Sequence, residues 1–534
     1  MGSHFIAFEK TGRFSDFICE YLSEEKSLRP FYGHSPNLKG FKNQIKLKKA
    51  QFSSLNRSVL VKEWTRQYEG LSPDSSVLKN IEKLKNENTF TITTGHQLCL
   101  MTGPVYFIYK IASTINLCKK LKKEFPEADF VPVYWMASED HDFEEISSFR
   151  FQDKRIQWQV ESKGAVGELS LNSLYDVLNV FEKHLGNSKE ANKIKKWIEL
   201  SYKTSTTLAE ATFKLVNQLF GHHGLLVLEP NTRPLKEVFQ PYIEEELLTS
   251  FSNKAVLNQI EDLKANYNKG YIPQVNPREI NLFYLTPKER FRIEKKDCVF
   301  SLNGSEIRWT HEEMIEQVKK FPERFSPNVI LRPLYQEVIL PNLAYIGGAG
   351  ELAYWLELKQ SFNKAEVVFP LLVLRNSALL IAEKEAKKIA KLKLTSEDLF
   401  LKRNSLINKK IRQISNIDLD LNFLKKQLAI QFDFLMDLTK ETDASFLGVV
   451  EAQKMKQFKG IEVLEKRLLK AQKRVLKDEV QRLVRLHELL FPDDTLQERK
   501  INFLTFYLIM GDSFFDIIFN SFDALRSDFV LIEY

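Results

Sequence analysis

The order of apolar and polar residues near position 100 predicts a strand, a helix and a second strand. Residues 90–94 are apolar or β-branched, and Gly95 ends the run. Between residues 105 and 118, after Gly103-Pro104, apolar side chains recur every three or four positions, as on one face of a helix. Residues 130–136 form a second apolar run. A strand–helix–strand unit of this length places its two strands parallel in one sheet.

The rest of the chain predicts an α/β protein with insertions and a helical arm. The apolar run at residues 225–228 resumes the sheet, and Glu229-Pro230-Asn231 follows it. The expected organisation is a core in two parts, an insertion, an arm and a C-terminal segment that packs on the core. Their expected bounds are 1–150 and 223–375 for the core, with a β-rich connecting segment near 271–307, then 151–222, 376–490 and 491–534.

Glycine and proline almost vanish between about residues 376 and 490, and the pattern there becomes helical. Two apolar stripes step by three and four residues, which predicts a long antiparallel helical pair. Because the stripes exceed what one hairpin covers, we expect a homodimer through this arm. The stripes are Leu421, Leu424, Leu428, Phe432 and Leu435, then Ile461, Leu464, Leu468, Ala471 and Val475.

Composition narrows the class of protein. The chain has 534 residues, 43% of them hydrophobic, and a formal net charge of +7 from 77 basic and 70 acidic residues. An excess this small does not indicate a dedicated nucleic-acid binder. The most apolar stretch, residues 367–382, is interrupted by Arg375 and Asn376, so no membrane span or anchor is expected.

The cysteines and the N-terminus favour a cytoplasmic protein. Cys19, Cys99, Cys118 and Cys298 lie far apart, which supports neither a disulfide framework nor a metal site. The first residues lack the apolar run of a signal peptide, and Met1-Gly2-Ser3-His4 is compatible with an expression scar.

Two polar loops follow the predicted parallel strands. They are Gly95-His96-Gln97 and Ser138-Glu139-Asp140-His141-Asp142. Because the strands are parallel, both loops belong to the carboxyl edge of the sheet, where doubly wound folds bind ligands. An imidazole among carboxylates suits proton transfer or the orientation of an amine. The alternatives are acids that complement a helix dipole and, for His96, a structural hydrogen bond.

Other residues are candidates for binding anions. Gly103-Pro104 offers backbone amides at a helix start, and Gly347-Gly348-Ala349-Gly350-Glu351 is either an anion-binding loop or a plain turn. Arg332 and Arg375 can each clamp a carboxylate, or pair with an internal acid. Cys99 follows the His96 turn, and a buried thiol is the preferred interpretation over a nucleophile.

These loops and several later blocks resemble the bacillithiol biosynthesis cysteine-adding enzyme family, in the same order and over nearly the whole chain. The matching blocks are Thr94-Gly95-His96-Gln97, Met101-Thr102-Gly103-Pro104, Trp135-Met136-Ala137-Ser138-Glu139-Asp140-His141-Asp142, Gln274-Val275-Asn276-Pro277-Arg278, Asn281-Leu282-Phe283, Phe325-Ser326-Pro327-Asn328, Leu331-Arg332-Pro333-Leu334, Pro341-Asn342-Leu343-Ala344-Tyr345-Ile346-Gly347-Gly348-Ala349-Gly350-Glu351-Leu352-Ala353-Tyr354-Trp355, Gln497-Glu498-Arg499 and Asn502.

The resemblance implies a Rossmann-like core similar to class I aminoacyl-tRNA synthetases, with connecting segments and a dimerising coiled coil. It implies a ligase that joins the carboxyl group of cysteine to the amine of glucosaminyl malate and so forms bacillithiol. A carboxylate must be activated before it forms an amide, so ATP is the expected co-substrate. Two departures stand out: Ala349 replaces an expected proline, and Lys454-Met455-Lys456 in the arm is only a superficial echo of the second synthetase motif.

The hypothesis is therefore a cysteine ligase. The alternative is a non-enzymatic coiled-coil adaptor or nucleic-acid-binding protein, which has no need of converging polar loops. We expect no metal site, no nucleic acid and no membrane partner. The expected catalytic residues are His96, Asp140, His141 and Asp142, and the expected substrate- or nucleotide-binding residues are Gly95, Gln97, Gly103, Arg332, Gly347, Gly348, Gly350 and Glu351.

Overall fold

The computed structural model describes residues 3–267, 269–297 and 299–534. Met1, Gly2 and Cys298 therefore lie outside the described residues. The chain forms two compact units. The larger contains the described residues up to Glu9, Arg13–Leu379 and Glu498–Ile532, and the smaller contains Lys10–Gly12, Leu380–Gln497 and Glu533–Tyr534.

Strands and helices alternate through most of the larger unit. The strands are β1 (Ser3–Ala7), β2 (Thr89–His96), β3 (Asp129–Met136), β4 (Ser148–Phe151), β5 (Lys154–Gln157), β6 (Leu226–Leu228), β7 (Leu282–Leu285), β8 (Arg290–Lys296), β9 (Val299–Leu302), β10 (Arg308–Trp309), β11 (Phe325–Pro327), β12 (Asn342–Gly347), β13 (Leu371–Leu374), β14 (Ser377–Ile381) and β15 (Asp528–Glu533). The α-helices are α1 (Phe8–Thr11), α2 (Asp16–Leu22), α3 (Leu38–Gln51), α4 (Ser54–Gln67), α5 (Ser75–Lys83), α6 (Tyr106–Glu124), α7 (Phe143–Ile146), α8 (Leu174–Leu185), α9 (Lys189–Ser201), α10 (Leu208–Phe220), α11 (Arg233–Thr249), α12 (Phe251–Asn266), α13 (His311–Lys320), α14 (Leu331–Ile339), α15 (Ala349–Trp355), α16 (Lys359–Lys364), α17 (Glu383–Lys391), α18 (Ser396–Leu399), α19 (Arg403–Ile414), α20 (Asn422–Thr439), α21 (Ala444–Val475), α22 (Lys477–Leu490), α23 (Phe503–Met510) and α24 (Ser513–Ser521).

A five-stranded parallel sheet organises the larger unit. Its order is β13-β12-β2-β3-β6, and every pair in it is parallel. The predicted strand–helix–strand unit is confirmed, with α6 between β2 and β3. Counted in chain order, the strands run 3-2-1-4-5, so the order reverses between β2 and β12. A doubly wound sheet binds its ligands at such a switch point, beyond the carboxyl ends of the strands.

The sheet is buried because both its faces are covered. All eight residues of β2 are buried. Helix α6 covers one side with the apolar face that its three-and-four spacing predicts. A buried cluster that includes Phe90, Ile92, Leu117 and Leu343 joins β2, α6 and β12. The apolar pattern therefore fixes the edge from which the polar loops project.

The other sheets are mainly antiparallel. Strands β10-β9-β8-β7-β11 form one such sheet, β4 and β5 form a hairpin, and β1 pairs with β15 in a sheet of order β1-β15-β14. Residues 498–532 return to the larger unit. There Asn116 of α6 donates to the Phe519 carbonyl at 2.7 Å and to the Phe522 carbonyl at 2.9 Å.

The smaller unit contains helices α17 to α22. Lys425 pairs with Glu465 at 3.1 Å, and Lys454 pairs with Asp433 at 3.0 Å. Since one position rises along α20 as its partner falls along α21, these helices are antiparallel. The arm was expected to start at residue 376 as helix, but Ser377–Ile381 is a strand. Its five residues are all buried, and its place in a sheet depends on the distant β15.

Apolar side chains remain exposed on α20 and α21. On α20, Phe423, Ile430, Phe434 and Leu438 share one face and are 56, 70, 66 and 38% exposed. This face is distinct from the predicted stripe, in which Phe432 is buried. Among the described residues no single helix is long and apolar enough to cross a membrane. Only α23 and α24 taken together meet those criteria, and they are bent by 114°.

A buried ion pair fixes β12 beside α3. Lys48 Nζ lies 3.4 Å from Glu337 Oε2, and both side chains are fully buried. Glu337 also accepts a hydrogen bond from Asn342 Nδ2 at 2.6 Å, and Asn342 Oδ1 accepts one from Thr93 of β2 at 2.8 Å. This polar chain aligns the two strands that flank the switch point.

We expect Lys48→Met to destabilise the protein by about 3 to 5 kcal/mol, because the Glu337 carboxylate is then buried without its cation. The double variant Lys48→Met with Glu337→Gln should recover part of the loss, since no charge remains to be compensated. Thermal unfolding followed by circular dichroism measures both. A Lys48→Met protein as stable as the wild type would show that the pair is not a structural requirement.

Candidate active site at the carboxyl edge of the parallel sheet

Lys110 of α6 joins the two sides of the switch point. Its buried Nζ donates to the Gly95 carbonyl at 2.7 Å and pairs with Glu351 of α15 at 2.7 Å. Glu351 also accepts from Tyr345 Oη at 3.0 Å and from the Gly348 amide at 2.6 Å. Burial alone would raise the pKa of Glu351, but Lys110 and the Gly348 amide hold it below its ordinary value. The glycine loop is thus anchored by an ionised carboxylate.

His96 ends β2 within this arrangement and is buried. Its ring lies 5.2 Å from the Tyr106 ring and 5.3 Å from the Phe107 ring, centre to centre. Nε2 is shielded from solvent and has no hydrogen-bond partner among the described residues. Burial, with a smaller contribution from the positive charge of Lys110, lowers the pKa of His96 to about 3. His96 therefore stays neutral near pH 7 and is a hydrogen-bonding group, not a strong base.

The two candidate arginines have different surroundings. Arg332 lies 5.5 to 5.9 Å from the centres of three aromatic rings, and its hydrogen bonds go to Gln336 at 3.1 Å and Tyr354 Oη at 3.4 Å. No salt bridge joins it to a carboxylate in the described part of the chain. Arg375 instead pairs with Glu498 at 2.7 Å, and both are buried. Its pairing with an internal acid is confirmed, so Arg332 is the arginine left for a ligand.

Two glycines are required where the loops approach each other. A Cβ at Gly347 would lie 2.7 Å from Leu352 Cδ1 and 2.9 Å from Tyr345 Cε1, which is too close. A Cβ at Gly95 would meet Tyr345 Oη at 3.4 Å and Arg332 Nη1 at 3.8 Å. These positions bring the hydroxyl of Tyr345 and the guanidinium of Arg332 against the end of β2. Gly350 has open space around it.

The start of α6 is covered by the C-terminal segment. The Gly103 amide donates to the Leu100 carbonyl at 2.9 Å, and the Val105 amide donates to the Ile501 carbonyl at 2.8 Å. Asn502 Nδ2 donates to the Met101 carbonyl at 2.8 Å. These amides already have partners inside the protein. Cys99 beside them is buried, and burial raises its thiol pKa to about 12, as fits a core thiol.

Gln97 links the His96 turn to the acidic loop. Its Nε2 donates to Asp140 Oδ2 at 2.9 Å and to Glu145 Oε2 at 2.6 Å. Burial raises the pKa of Asp140, but hydrogen bonds from His141 and Gln97 and the charge of Arg290 outweigh it and hold the pKa below its ordinary value. Asp142 caps α7, with Oδ1 accepting from the Glu145 amide at 3.3 Å.

The expected catalytic residues fall into two neighbouring clusters. One, the switch-point cluster, contains His96, Lys110, Arg332 and Glu351. The other, the acidic loop, contains Asp140, His141, Asp142, Glu144 and Glu145. Within the described residues no hydrogen bond joins the His96 ring to the acidic loop, and Gln97 is the bridge between them.

Some residues at this edge had no clear sequence signal. Arg290 of β8 contacts His141 from the β-rich segment, 149 positions away. Lys236 of α11 pairs with Glu139, and both are buried. Lys110 lies on the predicted apolar face of α6, where a lysine is not expected inside. Among the described residues no three His, Cys, Asp or Glu side chains form a group that could hold a metal ion.

Glu229 follows β6 on the same edge, as its position after residues 225–228 indicates. Its Oε1 accepts from Ser138 Oγ and, at 2.9 Å, from the Asn231 amide. Its Oε2 is shielded and has no partner among the described residues. Burial, helped by the negative charges of Glu139 and Glu168, raises the pKa of Glu229 to about 7.

The matches to known proteins cover the whole chain. The model described as "Bacillithiol biosynthesis BshC, N-terminal Rossmann-like domain" matches residues 1–376, and the BshC "C-terminal coiled-coil domain" matches residues 378–534. The first confirms the expected Rossmann-like core, and the second confirms the expected coiled-coil domain.

Curated relatives agree with these models. A protein of Flavobacterium johnsoniae is 47% identical over 527 residues, which cover 99% of each chain. One from Christiangramia forsetii is 46% identical over 538 residues and covers 100% of this chain and 99% of its own. Both carry the name "Putative cysteine ligase BshC". A solved Campylobacter jejuni structure, described as a "putative arginyl t-RNA synthetase", covers 80% of this chain and 100% of its own, at 10% identity and a TM-score of 0.20, too low to support a conclusion.

Replacement of Glu229 by glutamine should stabilise the protein at pH 8 but much less at pH 5. The folded-state pKa of about 7 lies above the ordinary 4.5, so the stability that this carboxyl contributes is present below pH 4.5 and is lost as pH rises to 7. Glutamine does not ionise and avoids that loss. We expect the variant's advantage in unfolding free energy to grow by on the order of 1 to 3 kcal/mol across this interval.

Denaturant unfolding at both pH values measures this advantage. Glu168→Gln, at a nearby exposed carboxylate, is the matched control and should change little. Equal effects of Glu229→Gln at the two pH values would show that Glu229 titrates normally.

Proposed function

This chain belongs to the bacillithiol biosynthesis BshC family, and we propose that it is a ligase that joins the carboxyl group of L-cysteine to the amine of glucosaminyl malate, forming bacillithiol. The observation that carries the proposal is the pair of oppositely charged clusters at the ligand-binding edge of the sheet. The names of the relatives support the reaction class. We further propose a cytoplasmic location, because both substrates are small soluble metabolites.

The switch-point cluster suits the anionic groups of this reaction. Arg332 has aromatic neighbours and no salt bridge in the described part of the chain, so a carboxylate or phosphate oxygen can complete its set of partners. Neutral His96 can donate or accept one hydrogen bond at Nε2. The loop from Gly347 to Gly350 brings backbone close to the same place. We assign the activated carboxyl group and a malyl carboxylate to this cluster.

The acidic loop suits the amine. Asp140 is ionised near pH 7, and Asp142 adds a second carboxylate at the exposed start of α7. An ammonium group binds between such oxygens, and its loss of a proton exposes the nucleophilic lone pair. The bridge through Gln97 keeps this loop beside the switch-point cluster, as attack of the amine on the activated carboxyl requires.

ATP is the proposed co-substrate. A cysteine carboxylate oxygen attacks the α-phosphorus, pyrophosphate leaves, and the acyl adenylate forms. The amine then attacks the carbonyl carbon, loses a proton and expels AMP, which leaves the amide. Positive charge around the switch point stabilises both the phosphoryl group and the oxyanion that forms on the carbonyl.

The arm suits a second copy of this chain. The exposed apolar face of α20 and further exposed apolar residues on α21, such as Val449 and Met455, at 62 and 59%, have no cover within the chain. A surface of this kind marks an interaction site. We propose that two copies pair through α20 and α21 and form a homodimer.

The reaction is tested by incubating the full-length protein with cysteine, glucosaminyl malate and ATP and detecting the amide product by mass spectrometry. His96→Ala, Arg332→Ala and Asp142→Asn should each reduce product formation by about a hundredfold. Thermal stability should change little, because the side chains of Arg332 and Asp142 border the cleft.

The matched controls are Arg292→Ala and Asp153→Asn, which change exposed residues of the same type elsewhere in the larger unit. Both should retain wild-type rates. Product formation that survives all three site changes would contradict the assignment of the reaction to this edge.

Dimer formation is tested by light scattering after size-exclusion chromatography. The wild type should have twice the mass of one chain at micromolar concentration, and Ile430→Lys combined with Phe434→Lys should shift it to the monomer by placing charges in the apolar face. Lys426→Glu, at an exposed position on the same helix, is the control for a changed charge. A monomeric wild type would contradict the proposed interface.

A further inference from the structure

The side chain of His141 meets a guanidinium. Arg290 Nη1 lies 3.0 Å from His141 Nδ1. An arginine keeps its protons at every accessible pH and can only donate, so Nδ1 must accept this hydrogen bond. The neutral ring therefore carries its proton on Nε2.

Arg290 is held firmly enough to impose this choice. Its Nη2 donates to Ser326 Oγ at 3.0 Å and to the Pro327 carbonyl at 3.2 Å, both on β11. The guanidinium carbon stands 4.0 Å from the centre of the Phe283 ring, and the side chain is only 7% exposed. Its contacts thus come from β7 and β11, the two neighbouring strands of the β-rich segment.

Asp140 competes for the same ring nitrogen. Its Oδ1 lies 3.6 Å from His141 Nδ1. Without Arg290, a proton on Nδ1 would find this carboxylate as its acceptor, and Nε2 would carry the free lone pair. The arginine therefore decides whether His141 presents a donor or an acceptor to a ligand.

We propose that Arg290 is a positioning residue that holds the proton of His141 on Nε2, so that His141 donates a hydrogen bond to a neutral substrate oxygen such as a sugar hydroxyl. The His141 side chain is 44% exposed, so a ligand can reach it. Carboxylates of Asp142, Glu144 and Glu145 surround it and disfavour an anion. This inference rests on the proposed function, which places the amino sugar at the acidic loop. It replaces the proton-accepting role that the sequence suggested for His141.

The tautomer can be read directly in full-length protein labelled with ¹⁵N-histidine. The His141 signals are those missing from His141→Gln. In the wild type, Nδ1 should resonate as an unprotonated ring nitrogen and Nε2 as a protonated one. Arg290→Met should move the proton to Nδ1, whereas Arg292→Met, an exposed neighbour on the same strand, should leave the spectrum unchanged. A wild-type proton on Nδ1, or an Arg290→Met spectrum like that of the wild type, overturns the proposal.

The donor role is tested with two replacements of His141. Glutamine supplies an N–H donor but no basic nitrogen, and alanine supplies neither. We expect kcat/KM for glucosaminyl malate to fall about tenfold in His141→Ala and less than about threefold in His141→Gln. Equal losses would contradict a donor role. If the wild type forms no amide, the proposed function and the sugar assignment fail, while the ¹⁵N spectra still decide what Arg290 does.

Discussion

The active edge of this protein depends on one buried amine, that of Lys110. Taking an ammonium group and a carboxylate out of water costs several kcal/mol for each, and their attraction offsets the cost only when their other hydrogen bonds are made. Here Lys110 also donates to the Gly95 carbonyl, and Glu351 also receives the Tyr345 hydroxyl and the Gly348 amide. The pair therefore connects the ends of β2 and β12 at the point where the strand order reverses.

This anchoring explains the electrostatic character of the cleft. With Glu351 neutralised by Lys110 and Glu498 by Arg375, the guanidinium of Arg332 is left without an internal carboxylate in the described part of the chain. On the neighbouring strand the acidic loop has several carboxylates, and Arg290 is its closest cation. The edge is thus divided into a side that favours anions and a side that favours cations. A ligase that brings an activated carboxyl group to an amine needs such a division.

The β-rich segment contributes to this edge as more than a connection. Arg290 reaches from β8 to Asp140 and His141, and its other contacts fix it to β7 and β11. Lys236 similarly ties α11 to Glu139 and donates to the Phe325 carbonyl at 2.7 Å. Movement of the segment would therefore change the orientation of the acidic loop, so the larger unit combines its parts into one site.

The sequence by itself determined the features that depend on nearby residues. The strand–helix–strand unit was predictable because its periodicity lies within about fifty residues, and parallel strands necessarily bring their loops to one edge. Helices in the arm followed from the absence of glycine and proline. Tertiary structure decided which way each side chain turns and what it meets. His96 turns toward Lys110 instead of the acidic loop, Arg290 contacts His141 from 149 positions away, and Arg375 is paired with Glu498 from 123 positions away. The strand at Ser377–Ile381 likewise requires β15. These outcomes depend on partners that only the folded chain brings together, so no local pattern records them.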